Sequence, residues 1–217
     1  MVADSGCHMV KLQNFRTADF VKSRYEIYKD GYGREWTMWN LCQSCELAFE
    51  DLAILKAEAE NLGLIFHSTP TSREGVDDLM ELGVKVLKNG ADFWAKESLG
   101  LYMLDQRIPC IFSTAHGFGY SDLWIDEAAE KDLVVLHTVR QYPASNWDEL
   151  RFIHIKSLYP VVGYSDHTLG VDAAIRAVEL GACLIEKHFT SDRTMHGPDH
   201  MLSSDLREMK ALCQALK

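Results

Sequence analysis

Seven short apolar runs recur along this chain of 217 residues, and helical patterns separate several of them. Apolar runs of this length, bounded by turn-forming residues, are typical of buried strands. The predicted strands are Met9–Phe15, Leu64–Thr69, Val84–Lys88, Pro109–Thr114, Leu133–Thr138, Val161–Ser165 and Cys183–Phe189. Strands that alternate with helices form right-handed βαβ units, so the pattern predicts an α/β fold built on a parallel sheet.

The helices between these runs carry recognisable start and stop signals. Glu46–Leu62 has apolar residues at helical spacing and is followed by Gly63, a residue that commonly ends helices. Ser72–Leu82 begins with a serine that can cap its first turn and ends before Gly83. Val171–Leu180 and Ser203–Leu216 complete the set. Because no low-complexity linker divides the chain, we predict a single domain over residues 1–217.

The number of strands narrows the choice of α/β architecture. An open doubly wound sheet usually has fewer than seven, whereas a closed TIM barrel has eight, typically in about 250 residues. The chain begins almost directly with the strand Met9–Phe15. We therefore interpret the fold as a (β/α)8 TIM barrel that lacks its first β/α unit.

Composition restricts the partners and the compartment. Hydrophobic residues make up 47% of the chain and charged residues 25%, and no run is long enough to span a membrane. A net charge of −10 argues against binding to nucleic acid or to an anionic membrane. Of the six cysteines, only Cys42 and Cys45 have redox or zinc spacing, and no second pair accompanies them. We favour a structural role for them and a reducing compartment, the cytoplasm.

Three polar segments near the C-terminus carry the strongest functional signal: Gly163–Thr168, Glu186–Phe189 and Gly197–His200. The first two close apolar runs and therefore lie at the carboxyl ends of strands, where α/β enzymes place their sites. Side chains alternate along a strand, so Ser165 and His167 share one face, as do Glu186 and His188. Two imidazoles on neighbouring strand ends can bind one metal ion.

Other predicted strands also carry polar residues at or near their ends. Lys11 and Gln13 are two residues apart and can point to the same side of their strand. Each such residue is weak evidence alone, because serine and threonine often cap helices and a lone strand histidine is more often a core residue than a ligand. Together they predict one shared mouth of a barrel. The further residues of this kind are Lys88, Ser113, Thr114, His137 and Thr138.

The segments Val162–Gly170, Ala177–Ala182, Ile185–Thr190 and Gly197–His200 resemble the sialic acid synthase family, which includes legionaminic and pseudaminic acid synthases and spore-coat polysaccharide synthases. Weaker matches follow in the same order as in the family. They are Val10–Phe15, Phe66–Pro70, Phe112–Thr114, Leu136–Thr138 and Tyr142–Ala144. The resemblance implies a (β/α)8 barrel followed by an antifreeze-like C-terminal domain, and we expect no counterpart of that domain within these 217 residues.

The resemblance implies that phosphoenolpyruvate condenses with an N-acetylmannosamine-type amino sugar, giving a nonulosonic acid and phosphate. It implies a homodimer and a divalent metal, Mn²⁺ or Mg²⁺, held by His167 and His188. By position, the phosphoenolpyruvate pocket comprises Lys11, Thr69, Lys88, Ser113 and Ser165. The sugar contacts are Gln13, Tyr142 and Asp199, with Glu186 beside the metal. The residues expected to be catalytic are Asp92, Glu186 and Asp199.

Two departures from the family pattern leave alternatives open. With a one-residue gap after Lys88, Asp92 takes the place of a family acid; without the gap, Phe93 does. Arg140 stands where a small amide or hydroxyl usually meets the substrate, so it either makes a changed substrate contact or forms a surface salt bridge. Two further functions compete with the synthase: a non-catalytic fragment that binds metal and phosphoenolpyruvate, and another sugar-acid synthase that uses phosphoenolpyruvate.

Overall fold

Parallel strands form the centre of the molecule. The computed structural model describes residues 1–30, 32–93, 96–114 and 132–216. Its strands are β1 (Met9–Asn14), β2 (Ile27–Lys29), β3 (Glu35–Thr37), β4 (Ile65–Pro70), β5 (Leu87–Asn89), β6 (Cys110–Ser113), β7 (Leu133–Thr138), β8 (Val162–Asp166) and β9 (Ile185–Lys187). β1 pairs with β4, and β5 to β9 pair in chain order, all in parallel. All seven predicted strands are therefore present.

The parallel strands curl towards a barrel. β4 lies beside β5, which places β1 and β9 at opposite ends of a seven-strand order. Six spacings of about 4.8 Å would separate these strands by roughly 29 Å in a flat sheet. Nevertheless, the ammonium nitrogen of Lys11 on β1 lies 3.6 Å from a carboxylate oxygen of Glu186 on β9. The sheet must therefore bend round on itself, as in a partial TIM-like barrel.

Helices connect and cover the strands. In the described ranges they are α1 (Val2–Ser5), α2 (Thr17–Phe20), α3 (Met38–Cys45), α4 (Phe49–Asn61), α5 (Arg73–Glu81), a 3₁₀ turn (Ala91–Phe93), α6 (Glu97–Leu104), α7 (Glu149–Leu158), α8 (Asp172–Glu179) and α9 (Leu206–Ala215). The Ser72 side chain accepts a hydrogen bond from the amide of Gly75 and so caps α5, as predicted. Gly63 and Gly83 follow α4 and α5 with φ of 77° and 72°, which confirms both predicted helix stops.

The two faces of the curled sheet differ in chemistry. Phe66, Phe112, Val135 and Tyr164 point outwards into an apolar core shared with the helices. His137 also lies in this outer layer, where its Nε2 is 2.6 Å from the carbonyl oxygen of Trp147 and its ring stacks on that of Tyr164. The prediction that His137 faces the shared mouth is therefore wrong, because strand alternation turns it away from Thr138. The inner face carries polar and charged residues.

One pair of strands was not predicted. β2 and β3 form an antiparallel hairpin between β1 and α3. The turn is closed by the amide of Gly33, which donates to the carbonyl oxygen of Asp30 at 2.9 Å, with Gly33 at a φ of 79°. Asp and Gly between two short runs containing aromatic residues are a hairpin signal in the sequence, but each strand is only three residues long.

All six cysteines lie in the described ranges and are reduced thiols. Cys42 is buried and Cys45 exposed on α3, and Cys110 is buried on β6 as expected. Cys183 differs from expectation, since it is exposed just before β9 rather than buried within it. No helix in the described part of the chain is long and apolar enough to cross a membrane.

Candidate active site

A cluster of lysines and hydroxyls surrounds one carboxylate on the inner face. Glu186 Oε1 accepts a hydrogen bond from Ser165 Oγ at 2.8 Å and lies 3.6 Å from Lys11 Nζ. Its Oε2 lies 3.8 Å from Lys88 Nζ, which donates to Ser113 Oγ at 2.8 Å. Five predicted site residues, each from a different strand, therefore meet in one place. We call this group the lysine–carboxylate cluster.

The electrostatics of this cluster favour an anion. Burial would raise the pKa of Glu186, but the ammonium groups of Lys11 and Lys88 hold that pKa well below its usual range. Lys88 is only 1% exposed, and burial lowers its pKa to about 8 although Glu186 acts in the opposite sense. At neutral pH two cations therefore face one carboxylate. The net positive charge and the hydroxyl donors suit an oxyanion ligand.

Strand β4 adds two polar side chains to this inner face. Thr69 is buried, and its Oγ1 has no hydrogen-bond partner within the described residues. His67 lies two residues earlier, pairs in register with Lys11, and has a buried Nδ1 that likewise finds no partner there. Sequence reasoning selected Thr69 but missed His67. The available signal was the two-residue spacing, which puts both side chains on one face.

Three rings pack together beside the cluster. The centroids of His167 and His188 are 5.4 Å apart, and the Tyr142 ring lies 4.1 Å from His167 and 6.0 Å from His188. His167 Nδ1 is 2.8 Å from the carbonyl oxygen of Val139, so Nδ1 must carry the proton in this bond. Burial lowers the pKa of His167 and brings that of His188 to about 4. Both imidazoles are therefore neutral near pH 7.

The neutral histidines have the chemistry of metal ligands. With its Nδ1 proton bonded to Val139, His167 can offer only Nε2 to a metal, an arrangement common for ligating histidines. In the described ranges of the chain, no group of three or more His, Cys, Asp or Glu side chains is arranged to hold a metal. His167 and His188 are thus a pair of candidate ligands.

Asp199 lies beside His188, on a loop that the β2–β3 hairpin holds. Its Oδ2 is 3.7 Å from His188 Nδ1, and burial raises the pKa of its carboxyl group. The Tyr28 hydroxyl donates to the carbonyl oxygen of Pro198 at 3.3 Å. The Arg34 guanidinium donates to two further carbonyl oxygens of the loop, at 3.1 and 3.0 Å. The hairpin that sequence reasoning missed therefore positions a predicted site residue.

The rim carries the remaining predicted residues. The Arg140 guanidinium donates to Asp92 Oδ1 at 2.7 Å, and both side chains are about half exposed. Arg140 thus forms the surface ion pair that was one of its two interpretations. The charge of Asp92 acts on the pKa of both Lys88 and Tyr142, which places this carboxylate near the cluster. Gln13 is exposed and pairs in register with Thr69.

A second ion pair supports the site from the outer face. Asp166 Oδ2 accepts from Lys187 Nζ at 2.7 Å, and both side chains are almost fully buried. Asp166 Oδ1 accepts from the backbone amide and the hydroxyl of Thr168, both at 2.8 Å. This network joins β8 to β9 and fixes the segment that carries His167. The sequence motif contained these residues, but the motif alone indicated no role for them.

A curled parallel sheet with cations, hydroxyls and neutral histidines on its inner face is the arrangement of a partial TIM-like barrel with a candidate anion site. The chain belongs to the NeuB family, whose model matches residues 1–217. This confirms the resemblance read from the motifs. Among curated proteins, it is 33% identical to N,N'-diacetyllegionaminic acid synthase of Legionella pneumophila over 99% of the chain, and 34% identical to the uncharacterized protein MJ1065 of Methanocaldococcus jannaschii over 98%.

The chain spans 64% and 62% of the lengths of these two relatives. A crystal structure of N-acetylneuraminic acid synthetase from Leptospira borgpetersenii superposes with a TM-score of 0.85 and 24% identity, over 99% of this chain and 74% of that one. The spore coat polysaccharide biosynthesis protein SpsE of Bacillus subtilis superposes with a TM-score of 0.80 and 29% identity, over 99% of this chain and 60% of that one.

Proposed function

We propose that this chain binds phosphoenolpyruvate in the lysine–carboxylate cluster and condenses it with an N-acetylmannosamine-type amino sugar. The products are a sialic-acid-like nonulosonic acid and phosphate. Membership of the NeuB family and the named synthases among its relatives support this reaction. In this proposal the seven parallel strands are strands of a (β/α)8 barrel, and the protein acts in the cytoplasm, where its thiols stay reduced.

The observation that carries the proposal is the carboxylate of Glu186 between Lys11 and Lys88. Lys11 and Lys88 lie 3.6 and 3.8 Å from the Glu186 carboxylate, and Ser165 donates a hydrogen bond to it, which supports a role for these donors in binding a substrate oxyanion. Phosphoenolpyruvate brings a carboxylate and a phosphate, which need several cationic and hydroxyl donors away from bulk water. The buried hydroxyl of Thr69, which has no partner in the part of the chain that the structure describes, supplies a further donor.

We further propose a divalent metal, Mn²⁺ or Mg²⁺, at His167 and His188. The observations that fit it are the neutral state of both imidazoles, their proximity and the bond that orients His167. When bound there, such an ion would act as a Lewis acid towards the aldehyde of the open-chain sugar. The aromatic ring of Tyr142 packs against both imidazoles and keeps their orientations fixed.

The residues of the chain then have separable tasks. Lys11 and Lys88 neutralise phosphoenolpyruvate and hold its carbon 3 towards the sugar aldehyde, which makes carbon–carbon bond formation effectively intramolecular. Cationic character develops at carbon 2, water adds there, and the tetrahedral intermediate expels phosphate. Asp199, whose pKa is raised by burial, is suited to exchange a proton with a sugar oxygen. Glu186 and Asp92 supply the other carboxylates near the reacting atoms.

The experiment combines calorimetric binding of phosphoenolpyruvate with phosphate release in the presence of Mn²⁺ and a panel of amino sugars that includes N-acetylmannosamine. We expect Lys88→Met to weaken phosphoenolpyruvate binding by roughly 100-fold, because a buried charge-assisted contact is lost. The control is Lys29→Met, which removes an exposed lysine of the hairpin and should leave phosphoenolpyruvate affinity unchanged.

Absence of phosphoenolpyruvate binding to the unmodified protein would refute the proposal. Binding without phosphate release from any sugar would instead favour the competing function, a protein that binds the anion without catalysis. Phosphate release that depends on the amino sugar would exclude that alternative.

A further inference from the structure

His67 is a buried histidine that the reaction outlined above does not use. Its side chain lies on the inner face of β4, two residues before Thr69 and in register with Lys11 on β1. The residue is only 4% exposed, and its Nδ1 has no hydrogen-bond partner among the described residues. Buried polar atoms in proteins are almost always paired, because leaving one unpaired is energetically costly. Because His67 shares its face of the sheet with Lys11, whose ammonium group belongs to the lysine–carboxylate cluster, this nitrogen is available to a ligand of that cluster.

The charges around His67 identify the kind of ligand. The groups that act on it are the ammonium groups of Lys11 and Lys88 and the carboxylate of Glu186. Burial lowers the pKa of His67 to about 4, so the ring is neutral near pH 7. A neutral imidazole carries one N–H donor. An oxyanion that entered the lysine–carboxylate cluster could accept this hydrogen bond together with those of the lysines.

We propose that His67 is an additional substrate-binding residue, a neutral donor that hydrogen-bonds an oxyanion of phosphoenolpyruvate beside Lys11 and Thr69. The proposal rests on the function proposed above. It extends the anion site by a second side chain of β4 and explains why both His67 and Thr69 present polar atoms that have no partner within the described ranges.

The chain contains a matched control for this histidine. His137 is also buried, and its Nδ1 also has no partner among the described residues. It lies on the opposite face of the sheet, however, packed against Phe152 and Tyr164. Comparing substitutions at His67 and His137 separates the effect of losing a buried imidazole from the effect of losing a group that faces the anion site.

The test measures phosphoenolpyruvate affinity by calorimetry for His67→Phe, His67→Asn and His137→Phe, with thermal unfolding recorded for each. His67→Phe should weaken binding by roughly 10- to 100-fold, because it removes a hydrogen bond to a charged ligand. In His67→Asn the side-chain amide nitrogen can replace Nδ1, so most of the affinity should return. His137→Phe should bind phosphoenolpyruvate as the unmodified protein does.

A second measurement is made on the unmodified protein. The variant His67→Asn is needed only to assign the ring signals of His67. In nuclear magnetic resonance spectra of the unmodified protein, phosphoenolpyruvate should shift the ring signals of His67 and leave those of His137 in place. The inference fails if His67→Phe binds as tightly as the unmodified protein, if His67→Asn loses as much affinity as His67→Phe, or if the His67 signals do not move. Failure of the unmodified protein to bind phosphoenolpyruvate overturns the proposed function as well.

Discussion

The buried ion pair between Asp166 and Lys187 allows a quantitative prediction. Substituting Lys187→Met removes the ammonium group and keeps an unbranched side chain of similar length. The change leaves the carboxylate of Asp166, which is fully buried, without its cationic partner at 2.7 Å. Since the pair joins β8 to β9 beneath the predicted histidine ligands, its loss should affect the stability of the fold and the order of the site.

The structure sets the expected magnitude. Removing one partner of a buried pair usually costs about 3–5 kcal/mol. Asp166 keeps three hydrogen bonds, two from Thr168 and one from the Tyr164 hydroxyl at 3.2 Å. We therefore expect Lys187→Met to lower the free energy of unfolding by about 3 kcal/mol, the low end of this range. For a chain of this size the midpoint of thermal unfolding should fall by roughly 6–12 °C.

The assay is urea denaturation followed by tryptophan fluorescence. The control is Arg176→Met, which breaks the exposed ion pair between Arg176 and Glu149 and should leave the unfolding midpoint almost unchanged. In a double-mutant cycle, the variant with both Asp166→Asn and Lys187→Met should lose much less free energy of unfolding than the two single variants lose in sum. The reason is that a neutral amide needs no counter-ion. Equal midpoints for Lys187→Met and Arg176→Met, or strictly additive changes in the cycle, would refute this reasoning.

Three further predictions concern the site and its scaffold. Phosphoenolpyruvate affinity should fall as pH rises through about 8, because Lys88 loses its charge there. Calorimetry between pH 7 and pH 9.5 measures this fall, and a constant affinity over that range would contradict the prediction. Gly163→Ala should destabilise the fold by about 1–3 kcal/mol, because its Cβ would overlap the carbonyl oxygen of Leu184; an unchanged thermal midpoint would contradict this. Ser72→Ala should lower the free energy of unfolding by about 1 kcal/mol in urea titrations, whereas Ser72→Asp should preserve it.

Several features of the protein were predictable because they depend on residues close together in the chain. The strands followed from short apolar runs, and the ends of α4 and α5 followed from Gly63 and Gly83. The shared faces of Ser165 with His167 and of Glu186 with His188 followed from strand alternation. The family also followed from local motifs, and the family match over residues 1–217 confirms it.

Other features could not be predicted because they depend on contacts between distant segments. His67 was missed because the sequence shows neither its register opposite Lys11 nor that its Nδ1 finds no partner among the described residues. His137 was placed on the wrong face because alternation states which residues share a face but not which face is inside. The hairpin was missed because its short strands are held partly by bonds from Tyr28 and Arg34 to the loop before Asp199.

The sequence by itself determined the seven parallel strands, four of the helices, the residue types available for a candidate anion and metal site, and the family. Backbone periodicity and helix capping are local properties, so a single chain segment is enough to specify them. Only the tertiary structure decided that Lys11, Lys88, Ser165 and Glu186 meet, since that contact depends on how far the sheet curls. The same curvature decided the low pKa of Glu186, because the charges that lower it come from other strands.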